Sequence, residues 1–64
     1  MTAHHHALTI PDLEDVYDAL AHAIDQAGAD KAEMFLVKLA LLNANALGDT
    51  GLFQRHLHAA LQDL

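Results

Sequence analysis

The chain contains no cysteine and no serine. The first absence excludes disulfides and thiolate metal sites, and gives no reason to expect an oxidising compartment. Together the two absences remove the usual nucleophiles of covalent catalysis. They also remove the serine on which an acyl-carrier-type helical bundle mounts its prosthetic arm. Cations are scarce as well. Lys31, Lys38 and Arg55 stand against nine acidic residues, for a formal net charge of -6. Nucleic-acid binding needs clustered Lys and Arg to neutralise phosphates, and an anionic membrane surface asks for the same. Neither partner is expected. The glycines are isolated, so there is no phosphate-cradling loop. The longest apolar stretch is broken by Lys38, Asn43 and Asn45 and falls short of the roughly 20 residues of a membrane span. No basic start followed by an apolar run is present, so no signal peptide is expected and the expected location is cytoplasmic.

What the chain does have is aliphatic bulk. Hydrophobic residues make up 53% and aromatic ones only 5%, so Leu and Ala must build the interior, and both are strong helix formers. At 64 residues a single domain is expected, over 9–64, behind a disordered tail over 1–8 that carries His4, His5 and His6. A domain of this size buries only roughly 60% of its unfolded surface, and commonly needs a partner chain to be stable.

Three helices are expected, at about 11–27, 31–47 and 50–63. Thr9 caps the first, with Pro11 in its first turn and Asp12, Glu14 and Asp15 near the positive end of the dipole. Leu13, Val16, Tyr17, Leu20, Ile24 and Ala27 recur on one face, and Gly28 stops the helix. Glu14, Asp15, Asp18, His22, Asp25 and Gln26 form an acidic outer face, which reads as solvated surface or as a docking face for a basic partner. Asp30 and Glu33 have capping-box spacing for the second helix, and Gly48 is its stop. Asp49 or Thr50 caps the third, whose buried stripe is Phe53, Leu57, Ala60, Leu61 and Leu64, with Arg55, His56, His58 and Gln62 facing outward. Short connections predict antiparallel neighbours. The expected fold class is all-α: a small three-helix up-down bundle completed by homodimerisation.

The stretch Asp30 to Leu47 is the centre of this scheme. Its polar residues Lys31, Lys38 and Asn45 are seven apart and share one narrow stripe. Met34 and Leu41 flank the stripe on one side, Phe35 and Leu42 on the other. A surface helix needs an apolar arc of only about 100°; here it is far wider. Each such side chain contributes about 1.5–3 kcal/mol when fully buried. That is comparable with the few kcal/mol a domain this small can have in total. Met34, Phe35, Leu41 and Leu42 are therefore the expected self-association interface. Ala40 and Ala44 are small enough to let another helix approach. Asn43, on the apolar arc, reads as a satisfied core amide or as one that fixes helix register, with a ligand contact as the lesser reading.

Chemistry is thinly represented. Asp18, His22 and Asp25 share the outer face of the first helix at spacings that can hold a divalent ion, but such groupings arise by chance in acidic sequences, and no specific metal site is expected. His56 and His58 point away from each other. Tyr17 sits at the edge of the apolar stripe in a structural role. No catalytic residue and no cofactor is expected.

The segments Asp15-x-Tyr17-Asp18-Ala19-Leu20 and Leu41-Leu42-Asn43-Ala44-Asn45-Ala46-Leu47-Gly48-Asp49, followed by an apolar third helix, resemble a family of very short bacterial proteins. That family is catalogued only as a domain of unknown function, and its members are often encoded beside flavin-dependent monooxygenases or other oxidoreductases of aromatic breakdown. The resemblance covers Leu13 to Ala60. It implies a bacterial, cytoplasmic helical protein that is accessory to a neighbouring enzyme, and it carries no site residues with it. The expected function is thus a non-enzymatic, homodimeric helical interaction module assisting an oxidoreductase. The alternative is a small-molecule or metal-binding protein with a pocket between helices, for which Tyr17, His22 and Asn43 are the polar groups to watch.

Overall fold

A computed structural model of the chain describes residues 7–64. The fold is all-α. Three helices follow one another, α1 (Ile10–Ala27), α2 (Ala32–Leu47) and α3 (Thr50–Ala60), and no strand occurs among the described residues. The residues expected to form the tail lie outside the described part, except Ala7 and Leu8, which are exposed and outside any helix. The chain divides into two compact units, Met1–Ala32 and Glu33–Leu64.

In the first unit, the start of α1 is built by Thr9. Its backbone is extended, and its Oγ1 accepts from the Asp12 N–H at 3.2 Å. Its carbonyl takes the first intrahelical bond, from the Leu13 N–H at 2.9 Å. Pro11 falls where no backbone donor is needed. The helix stops at Gly28, whose N–H donates to the Ile24 carbonyl at 3.1 Å, with φ 83 and ψ 159. That backbone conformation is one that essentially only glycine adopts.

The entry to α2 departs from the expected capping box. Residues 29–31 form a turn in which the Lys31 N–H donates to the Gly28 carbonyl at 3.1 Å, and the first helical residue is Ala32. The turn puts Lys31, not Asp30, in the cap position. An ammonium is a donor only and cannot receive the orphan N–H groups. Glu33 still lies in the first turn, where its charge suits the dipole.

In the second unit, α2 ends on Gly48 at φ 69, and the Gly48 N–H bonds the Ala44 carbonyl at 3.0 Å. This is the simple left-handed stop. Asp49 caps α3 directly, accepting from the Leu52 N–H on Oδ1 at 3.0 Å. The third helix is shorter than expected. It ends at Ala60, where the Leu61 N–H is shared between the Leu57 and His58 carbonyls at 3.1 and 3.2 Å. Bonds of this kind tighten the last turn of a helix that lacks a glycine stop.

No described residue is buried. The faces that periodicity assigned to the interior are only partly covered. On α1, Leu20, Ile24 and Ala27 are half-buried, while Leu13, Val16 and Tyr17 are exposed. On α3, Leu52 and Phe53 are half-buried, but Leu57 and Leu61 are exposed, and Leu64 beyond the helix is 95% exposed. The expected buried stripe of α3 therefore reduces to its first turn. Periodicity identifies an apolar face, but it does not supply the element that covers it.

Candidate interaction surface

The strip around Lys38 on α2 is open. Met34, Leu41 and Leu42 are 65%, 63% and 69% exposed. Phe35, the fourth residue expected there, is half-buried, so it borders the strip without standing free of the fold. The half-buried residues Leu39, Ala40, Ala44 and Leu47 belong to other parts of the helix surface. Lys38, Leu41, Leu42 and Asn45 line one shallow, mostly apolar depression. Lys38 thus shares the depression with two leucines, a setting long cations favour because the stem can cover apolar surface while the head still reaches water or an acid.

A second strip, on α1, was assigned to the core by its periodicity. Ile10, Leu13, Val16, Tyr17 and Leu20 line a shallow open depression together with Glu14 and Asp18. Ile10 is 68% and Tyr17 72% exposed. Ile10 is a member that sequence reasoning missed. Its position three before Leu13 and seven before Tyr17 was the available signal, since that spacing extends the strip back by about one turn. Glu14 and Asp18 form an acidic edge, and α1 carries no Lys or Arg at all.

The remaining candidates do not converge. Asn43 is exposed, and the side-chain hydrogen bonds among the described residues do not include it. In the single chain it is not the buried amide expected, because its part of α2 is not covered. Asp18, His22 and Asp25 are exposed along α1, and among the described residues no three His, Asp or Glu side chains are grouped to hold a metal ion. A depression at the junction of α2 and α3 is lined by Ala44, Asn45, Gly48, Asp49, Thr50 and Phe53 and measures about 280 Å³, just below the span of ordinary ligand pockets. Among the described residues no helix is long and apolar enough to cross a membrane.

Compared with family models, with curated proteins and with solved structures, the chain matches none.

Proposed function

We propose that the protein is a helical interaction module that works as a homodimer and carries out no reaction of its own. The observation that supports this reading is the exposure of Met34, Leu41 and Leu42 on α2, in a chain in which no described residue is buried. Leaving three large aliphatic side chains about two-thirds in water forgoes about 1–2 kcal/mol for each, an amount a second copy can recover. A cytoplasmic setting, a role as accessory to an oxidoreductase, and the absence of nucleic-acid partners belong to the same reading. They rest on the charge balance and the resemblance described above. Phe35 completes the surface as its half-buried border.

Sedimentation equilibrium at micromolar concentration tests the reading directly. A dimer that dissociates on dilution is the expected result. A protein that stays monomeric over the whole concentration range overturns it.

A further inference from the structure

We infer that in the dimer the Lys38 strip of α2 from one copy packs against the acidic-edged strip of α1 from the other. The inference rests on the self-association just proposed and specifies which surfaces meet.

Both depressions are apolar, open and carried on a single helix, but they differ in charge. The α2 strip has Lys38 in the same depression as Leu41 and Leu42. The α1 strip has Glu14 and Asp18 in the same depression as Ile10, Leu13 and Tyr17. Packing α2 on its own copy about its centre brings ammonium towards ammonium. Packing α1 on its own copy brings carboxylate edges together. Like charges facing each other across an interface are strongly disfavoured, and opposite ones set register and partner choice. Only the cross-pairing joins apolar surface to apolar surface and cation to anion at once. The Lys38 stem lies over apolar contacts while its head reaches the Glu14 and Asp18 edge. In a dimer closed about a two-fold axis this contact forms twice.

Charge variants test the pairing, with association measured by sedimentation equilibrium and helicity checked by circular dichroism. Lys38→Glu alone is expected to weaken association about tenfold. Glu14→Lys combined with Asp18→Lys is the more telling variant. It moves the net charge from -6 towards neutrality by four units, two for each substitution, and on general grounds this should strengthen association of an acidic protein. The cross-pairing instead requires it to weaken association about tenfold. An equimolar mixture of the two variants is expected to recover association to within about threefold of the original, because the mixed dimer has one contact with both charges reversed and one unmodified contact. Recovery also shows that both variants fold. If Glu14→Lys/Asp18→Lys associates as tightly as the unmodified chain, or if the mixture fails to recover, the cross-pairing is wrong although the dimer stands. If the unmodified chain is a monomer, both the dimer and the pairing fall.

Discussion

Helices α1 and α2 are of similar length, 18 and 16 residues, yet they solve the problem of facing water differently. α1 sorts its residues: Asp12, Asp15 and Asp25 lie apart from the row of Ile10, Leu13, Tyr17 and Leu20, and Glu14 and Asp18 run along the edge of that row. α2 barely sorts them, having only Glu33, Lys38, Asn43 and Asn45 as polar side chains. A helix like α1 can live at a surface with one face covered. A helix apolar nearly all round belongs in an interior, and α2 nonetheless exposes Met34, Leu41 and Leu42. The difference teaches that exposure means different things in the two helices. On α1 it is an ordinary apolar face still lacking part of its cover. On α2 it is surface for which the sequence provides no solvated alternative.

The sharpest test of that distinction is Leu41→Lys. If the α2 strip is an interface, the substitution removes a buried leucine from both copies. The loss is on the order of 2–4 kcal/mol per dimer, or about thirtyfold or more in association. The helicity of the isolated chain should hardly change, since Leu41 is 63% exposed. An unchanged dimer constant would reduce the strip to ordinary surface and erase the contrast with α1.

The two helix stops give the next largest effect. Gly28, after α1, lies at φ 83 and ψ 159, and a Cβ there would sit 3.4 Å from Asp30 Oδ1. Gly48, after α2, lies at φ 69 with open space around a Cβ. Gly28→Asn should therefore cost about 2 kcal/mol. Gly48→Asn should cost well under about 1 kcal/mol, because asparagine tolerates the left-handed region. Urea unfolding at one fixed protein concentration, which holds the contribution of association constant, compares them. Equal losses would show that the two stops are equivalent after all.

The helix starts separate by the smallest margin. Thr9 caps α1 through its hydroxyl, whereas the cap position of α2 holds Lys31, which has no acceptor. Thr9→Ala should destabilise by about 1 kcal/mol, and Lys31→Ser should stabilise by roughly 0.5–1 kcal/mol. The same unfolding assay reads both. A loss of stability in Lys31→Ser would mean that the lysine itself, not a missing cap, matters at that position.

The local punctuation of the fold was legible in the residues. Thr9 with Asp12, Gly28, Gly48 and Asp49 all act within four positions of themselves, so their partners are set by chain connectivity. Asp30 was misread for the same kind of reason. Its spacing to Glu33 fits a capping box, but the Gly28–Lys31 turn shifts the helix start by one residue and takes Asp30 out of position. The end of α3 was placed too late because no glycine marks it. The interaction surface was half legible. Met34, Leu41 and Leu42 could be singled out because α2 has too few polar residues to hide them. The α1 strip could not, because an amphipathic face reads the same whether or not something covers it.

Sequence alone determined that the protein is helical, where each helix begins and stops to within a few residues, and that α2 carries more apolar surface than a surface helix tolerates. These are consequences of propensity, capping and periodicity, all of which operate between residues close in the chain. Only the tertiary structure decided which apolar residues stay in water. It left Tyr17 and Leu42 open and Phe35 and Ile24 half-buried. Burial depends on what approaches a side chain from elsewhere, and no pattern within a single helix specifies that neighbour.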